Sequence, residues 1–328
     1  MKINYHEAIQ AYEAAKVNLP EAVREDLYQK REANRNRLKA KLPERIKIKD
    51  FIAQGSMAIR TTIQEEGGDY DIDDGVCFYA DSLKGPYLGI FDMDSDEVRE
   101  MVCEALQDNT FNKQPEILGN CVRVFYAEGY HVDVPSFRVL DADTPDEHQE
   151  LAGKAGWTPS DPTEINRWFE DRVQTLNRIQ EDAGAQFRRM VRLLKRFARS
   201  RGKKWNMPNG LKLTMLADEC FERSHGRDDK SFYFLLLNIH ERLNKSRIIM
   251  NRAQRPSAQV PLTKTEADDN LTELHHHLSE ALQHLAVLWD DHCSRPQAYT
   301  AWEWVFQPGG FFGDYERNNE LARRNNTK

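Results

Sequence analysis

Little in this sequence would carry it into a membrane or out of a reducing compartment. No apolar run approaches the ~18 residues that mark a membrane span, and Met1 to Val17 lacks the apolar core of a signal peptide. Cysteine is scarce, with five in 328 residues. Cys77, Cys103, Cys121, Cys220 and Cys293 lie far apart, with no Cys-x-x-Cys pair, which argues against a disulfide framework and against a structural zinc site. Net positive charge is also lacking. The formal charge is −7, and phosphate contacts need a positive field, so no obligatory nucleic-acid partner is expected. There is no internal repeat and no low-complexity tract. What remains is a cytoplasmic chain, with no membrane partner, long enough for one large domain or two lobes.

Against this background one constellation stands out. Gln54-Gly55-Ser56 is followed by Asp69-Tyr70-Asp71-Ile72-Asp73-Asp74-Gly75. The stretch Asp71 to Tyr79 alternates polar and apolar residues and ends in Val-Cys-Phe-Tyr, the pattern of a strand. Side chains two apart on a strand share a face, so Asp71 and Asp73 project together. Paired carboxylates suit Mg²⁺, which takes oxygen ligands and keeps substrate phosphates as partners. The Gly-Ser turn offers backbone N–H groups and a hydroxyl to a triphosphate. Asp74 is expected to face the other way or to sit at the strand end, and Asp69 to be a turn residue after Gly67-Gly68.

A third acid follows in Gly129-Tyr130-His131-Val132-Asp133-Val134-Pro135, a second alternating run. A carboxylate among apolar neighbours is costly unless it is paired or binds a metal. Asp133 is therefore read as the third ligand, on a strand beside the first. Asp71, Asp73 and Asp133 could together bridge two metal ions ~3.5–4 Å apart, the arrangement that activates an attacking hydroxyl and neutralises a leaving pyrophosphate. Either part alone is commonplace, a solvated Asp-x-Asp or a bare Gly-Ser turn. Their order along the chain makes the combination specific.

The first part of the chain reads as mixed. Tyr5 to Lys16 and Glu21 to Lys41 have helical character, broken at Asn18-Leu19-Pro20, and Ser95 to Gln107 has helical spacing with acids in its first turn. Ile117 to Tyr126 and Tyr130 to Leu140 read as an antiparallel pair joined at Glu128-Gly129. From about Thr163 the chain turns helical, over Thr163–Asp182, Ala185–Arg201, Leu211–Phe221, Ser231–Leu243 and Asp269–His292. The expectation is an α+β protein, not a doubly wound parallel sheet. Residues 1–150 would form a catalytic lobe with N-terminal spine helices, and 151–328 a helical lobe completing a nucleotide cleft.

In Phe187 to Ala198 an apolar stripe runs beside Arg188, Arg192, Lys195 and Arg199. Most of that basic stripe is expected to face solvent, with one or two members meeting phosphate. His275-His276-His277 resembles a metal cluster, but consecutive helix residues point apart, so no zinc role is assigned. The aromatic segment Trp302 to Phe312 reads as core packing or as docking of the C-terminal segment against the body.

These residues resemble the CD-NTases, the cGAS/DncV-like nucleotidyltransferases of bacterial antiphage defence, and within them the DncV-like branch. Gln54-Gly55-Ser56, Asp71-Ile72-Asp73-Asp74-Gly75, His131-Val132-Asp133-Val134-Pro135, Trp157-Thr158-Pro159-Ser160-Asp161-Pro162 and Met190 to Phe197 carry the likeness in order, from roughly Lys2 to Glu222. The resemblance implies a polymerase-β-like nucleotidyltransferase core, with a mixed or antiparallel sheet, plus a helical C-terminal lobe. It implies Asp71, Asp73 and Asp133 as catalytic ligands of two Mg²⁺ ions, replaceable by Mn²⁺. It implies Gln54, Gly55, Ser56, Ser160, Lys195 and Thr214 as nucleotide contacts. It further implies nucleoside triphosphates, ATP and GTP first, joined into a cyclic di- or trinucleotide that activates a downstream effector. Members of the family can also be conjugated to other proteins through the C-terminus, and here the sequence ends Arg324-Asn325-Asn326-Thr327-Lys328. Met57-Ala58-Ile59 departs from the DncV-like type, which has a tyrosine near Ile59, so base choice is not assigned.

Two other functions share these residues. One is nucleotidyl transfer to an RNA or protein acceptor, against which the acidic balance counts. The other is a non-catalytic nucleotide-binding scaffold, against which the presence of all three acids counts.

Overall fold

The computed structural model describes residues 1, 3–65, 70–85, 91–254 and 259–325. Asp69 and the preceding glycines, expected to form a turn, lie outside the described residues. The chain divides into two units. One takes Leu19–Arg60 and Gln64–Arg167, and the other takes Met1–Asn18, Thr61–Ile63 and Trp168–Lys328.

The helix α1 (His6–Tyr12) belongs to the second unit; the first, the sheet unit, opens with α2 (Glu21–Lys41). Pro20 fixes the entry to α2, since proline needs no partner for the N–H it lacks at a helix start. Then come β1 (Ile48–Gln54), the single turn α3 (Gly55–Ala58) and β2 (Asp71–Tyr79). In α4 (Ser95–Leu106) the cap is Asp94, whose carboxylate accepts from the backbone of Asp96 and Glu97 while Glu97 reaches back. Six strands complete the unit: β3 (Glu116–Leu118), β4 (Cys121–Phe125), β5 (His131–Val134), β6 (Ser136–Leu140), β7 (His148–Gly153) and β8 (Gly156–Pro159).

The expected strand Tyr130 to Leu140 is broken at Pro135, which cannot donate to a ladder. Its halves keep one register along β2, parallel to it: Asp73 lies opposite Asp133, and Val76 opposite Ser136. On its other side β2 pairs antiparallel with β1. β4 pairs antiparallel with β5, and β6 with β7, so the eight-stranded sheet is mixed. The expected hairpin at Glu128-Gly129 is present, with the Gly129 N–H on Tyr126 O and φ +92° at the glycine.

Alternation sorts β2 by face. Ile72, Val76 and Phe78 join Val122, Val124, Val132 and Val134 in a core covered by α2 and α4, through Leu27, Leu38, Val98 and Val102. Cys77, Phe137 and Val139 pack on the opposite face with Ile52 and Leu151. Asp71 and Asp73 fall on that second face by the same period of two. Asp74 falls on the first, where Arg35 of α2 grips it at 2.7 and 2.5 Å, and only 3% of its surface is exposed.

The second unit is helical: most of α5 (Glu164–Ile179), α6 (Ala183–Arg199), α7 (Gly210–Cys220), α8 (Asp228–Lys245), α9 (Asp269–Leu285), α10 (Arg295–Phe306) and α11 (Phe311–Asn325). The last long helix foreseen, Asp269 to His292, stops at Leu285 and tightens into a turn over Ala286–Trp289. α1 packs here too. Tyr12 stacks within about 5 Å of Phe306, Phe311 and Phe312, the aromatic segment read as core packing or docking.

Candidate active site

The parallel register of β2 and β5 sets two acids side by side. Asp73 and Asp133 occupy paired positions, and Asp71 sits two residues before Asp73 on the same face. β1 ends in register with this point, because Gln54 pairs with Asp73. The chain then turns through Gly55, with φ +66°, a region that glycine enters without penalty. A side chain there would meet Asp73: a Cβ on Gly55 would lie 1.9 Å from Asp73 Oδ2. The Gly-Ser turn is therefore in contact with the acid cluster, and Ser56 follows in α3.

Gly75 has its own steric reason. A Cβ on it would come within 2.6 Å of Gln54 Nε2 and 2.8 Å of Phe137. The Gln54 side chain thus lies over β2. Its Nε2 is buried and has no hydrogen-bond partner among the described residues. A buried amide donor without a partner costs stability, and a ligand oxygen would relieve that cost.

The electrostatics are those of crowded anions. Burial, then the charges of Asp133 and Asp71, push the Asp73 carboxyl up to about 6, and Arg123 opposes the shift. Arg123 was not foreseen. It stands on β4 directly across from Asp133 and forks both of its oxygens, at 2.7 and 2.8 Å. Its Nη2 also lies 3.7 Å from Asp71 Oδ1, while His131 Nδ1 approaches the same oxygen at 3.4 Å. The Asp133 carboxylate holds the guanidinium charged, raising its pKa. Cys121, two residues before Arg123, is partly buried, and desolvation with the nearby Asp133 charge pushes its thiol up to about 12. The sequence held a signal for Arg123: in Cys-Val-Arg-Val-Phe the valines alternate inward, so the arginine shares a face with its neighbours two away.

Three carboxylates on one sheet face, one of them charged only against resistance, fit a hard divalent cation by their chemistry. Their donor atoms are not closed to within 4.8 Å of one another, however. Among the described residues the group that meets that closeness is His276, His277 and Glu280. There two consecutive histidines do converge, because Glu280 one turn on accepts from His277 Nδ1 at 2.6 Å. His275 points elsewhere and stacks on His240. His277 also stacks on Trp205, with ring centroids 3.9 Å apart.

The remaining candidate residues take separate places. Ser160 follows β8, its N–H bound to Gln149 O at 3.0 Å. In the helical unit Thr214 Oγ1 donates to Gly210 O at 2.7 Å, within α7. Lys195 is buried, with Nζ donating to Thr61 Oγ1 at 2.8 Å and Thr61 O at 3.2 Å. Burial, with Arg192 nearby, lowers its pKa to about 7. Arg192 is buried as well and ion-paired with Glu13. Two of the four stripe residues on α6, Arg192 and Lys195, are thus interior, while Arg188 is partly exposed and Arg199 faces solvent as its charge predicted. The turn Glu13–Val17 after α1 packs on α6, as do α7 and α8, and its Glu13 meets Arg192, which the periodicity of α6 alone could not reveal.

Residues 49–137 match the family model of the cyclic GMP-AMP synthase DncV-like nucleotidyltransferase domain. A cyclic GMP-AMP synthase of Escherichia albertii is 26% identical over 211 residues, which are 61% of this chain and 43% of that protein. The chain thus spans less than half of that relative. Among solved structures, Vibrio cholerae DncV cyclic AMP-GMP synthase, in complex with the linear intermediate 5′ pppA(3′,5′)pG, superposes with a TM-score of 0.70 at 15% identity, over 93% of this chain and 96% of that one. The Bradyrhizobium diazoefficiens CD-NTase CdnG, in complex with GTP, gives 0.69 at 16% identity, over 96% and 99%. At these identities the structural likeness establishes the fold, and the expected nucleotidyltransferase core with a mixed sheet and a helical part is borne out. Among the described residues no helix is long and apolar enough to cross a membrane.

Proposed function

We propose that this chain, a member of the CD-NTase family by its matched domain and shared fold, joins nucleoside triphosphates into a cyclic di- or trinucleotide. ATP and GTP are the first substrates to try, and cyclic GMP-AMP the first product to look for. The observation that carries the reading is the close approach of the Gly55 turn to Asp73, which is paired in register with Asp133.

Asp71, Asp73 and Asp133 would hold the divalent ions. When bound, Mg²⁺ or Mn²⁺ supplies the charge that lowers the pKa of an attacking hydroxyl and steadies a leaving pyrophosphate. The chain's own groups do the positioning. The backbone at Gly55 comes close enough to the acids that a phosphate bound at the turn would lie beside them. Ser56 adds a hydroxyl there, and the Gln54 amide, buried without a partner, can donate to a phosphate or sugar oxygen. Ser160, Lys195 and Thr214 are the other proposed nucleotide contacts, and Lys195 would exchange its bonds to Thr61 for phosphate oxygens. Holding the 3′-hydroxyl of one nucleotide (or a 2′-hydroxyl) against the α-phosphate of another makes the step effectively unimolecular. Proton and pyrophosphate leave; a second attack, on the α-phosphate of the linear intermediate after it turns, would close the ring and release a second proton and pyrophosphate. The product would then serve as a signal to an effector in defence against phage.

Purified protein incubated with four labelled triphosphates and Mg²⁺ or Mn²⁺, with products read by mass, tests this. A cyclic product containing a purine, made without any acceptor, is expected. Exclusively linear products, or incorporation only into an added RNA or protein, would overturn it.

A further inference from the structure

Asp133 is fully engaged by its own sheet. Arg123 lies opposite it in the β4–β5 ladder and binds both of its oxygens in a fork, at 2.7 and 2.8 Å. The same guanidinium lies 3.7 Å from Asp71 Oδ1. One cation therefore spans the two flanking acids of the cluster. The fork also accounts for the spread of the three carboxylates, since both Asp133 oxygens are turned to β4. A divalent ion shared by the acids needs at least one of those oxygens, and it brings charge of the same sign to within a few ångströms of the guanidinium. Arginine cannot respond by losing its proton. It can only move, and its side chain, 27% exposed, borders solvent into which it can swing.

We propose that Arg123 and a divalent cation are alternative partners of Asp133, so that the fork must open for the third carboxylate to take its ion. Arg123 is thereby a positioning residue that sets how tightly, and at what concentration, the site loads. This rests on the metal-site reading given above for Asp71, Asp73 and Asp133. It differs from the usual arrangement, in which a group bonded to a metal ligand orients it and strengthens metal binding. Here both oxygens are taken by a full positive charge, and the sign reverses.

The test is Mn²⁺ binding to the full chain, stripped with EDTA and free of nucleotide, followed by the electron paramagnetic resonance of free Mn²⁺. Arg123→Gln is expected to bind Mn²⁺ about tenfold more tightly or better, the scale on which groups beside a ligand alter affinity. Arg123→Lys, which keeps the charge but loses the planar fork, should fall between. Thermal melting supplies a second reading. Without its counter-ion Arg123→Gln should melt below the parent in EDTA and recover most of the gap when Mn²⁺ is added. A merely structural role would lower both melts alike. Equal or weaker Mn²⁺ binding by Arg123→Gln overturns the proposal; if that variant fails to fold, equal or weaker binding by Arg123→Lys does so. The Asp71→Asn, Asp73→Asn double variant separates this failure from that of the metal reading. If it loses Mn²⁺ while Arg123→Gln matches the parent, only the role of Arg123 falls. If all three bind alike, the metal site falls and the proposal with it.

Discussion

Asp73 should make the protein less stable, and removing its charge should show this. Its carboxyl is held at about 6 by burial and by the charges of Asp133 and Asp71, against ~3.9 for a free aspartate. Ionised, it therefore costs folding free energy: about two units, at ~1.4 kcal/mol each, give up to about 3 kcal/mol. The direction in pH follows. The folded pKa is raised, so the folded state binds the proton more tightly. Stability is fully present below pH ~4 and is lost as pH rises through ~6. Asp73→Asn keeps the shape without the charge. In EDTA the variant should match the parent at pH 4 and exceed it by about 2–3 kcal/mol above pH 7. Urea unfolding followed by circular dichroism at both pH values measures the gap. Added Mn²⁺ should stabilise the parent and narrow the difference. A gap equal at pH 4 and pH 8, or a variant no more stable than the parent at pH 8, would refute the account of a site kept under charge repulsion.

Asp71→Asn combined with Asp73→Asn should abolish product while the fold, read by circular dichroism, persists; Asp133→Ala should do the same, and wild-type turnover in either would count against the assignment. Gly55→Ala places a methyl 1.9 Å from Asp73 Oδ2 at a backbone angle of +66°, so turnover should fall by a hundredfold or so for a displacement of about 1 Å, and the strain should also lower unfolding free energy by about 1–2 kcal/mol, read by urea unfolding. Arg35→Ala strands the buried Asp74, and a loss of about 3–5 kcal/mol in unfolding free energy is expected, most of it restored by adding Asp74→Leu. Lys195→Ala should weaken nucleotide use about tenfold or more, the scale of a charge-assisted contact, and leave Thr61 short of a donor; steady-state kinetics with Arg188→Ala as comparison would show equal losses if a diffuse basic surface were responsible.

The acid-bearing strands were legible because alternation over Asp71–Tyr79 and His131–Val134 is a local signal, and burial on both sheet faces enforces it. The pairing of Asp73 with Asp133 is long-range, yet two lone acids on apolar strands left few other solutions. Arg35 and Arg123 were not found for the opposite reason. Each reads locally as one more charge on a helix or strand, and its role exists only once a distant carboxylate arrives. The hairpin of β7 and β8 was not foreseen either. Its strands are short, half-exposed and poor in β-branched residues, so pairing with β6 rather than propensity holds them. The basic stripe of α6 shows the same limit: Lys195 and Arg192 are interior, bonded to Thr61 and Glu13, and no helical period records that.

The helical unit is assembled from segments that leave the ribosome far apart in time. Met1–Asn18 is made well before the residues beyond 168 that hold most of it: Tyr5 N–H on Asp229 at 2.9 Å, Glu13 on Arg192, and Tyr12 among Phe306, Phe311 and Phe312. The sheet unit contains no residue later than Arg167. During synthesis the acid cluster and its Gly-Ser turn can therefore form while Met1–Asn18 still waits for the helices that will cover Tyr12 and Glu13. Such a waiting segment is what a chaperone would hold. Slowing translation near residues 170–230 should lengthen that exposure without touching the site itself.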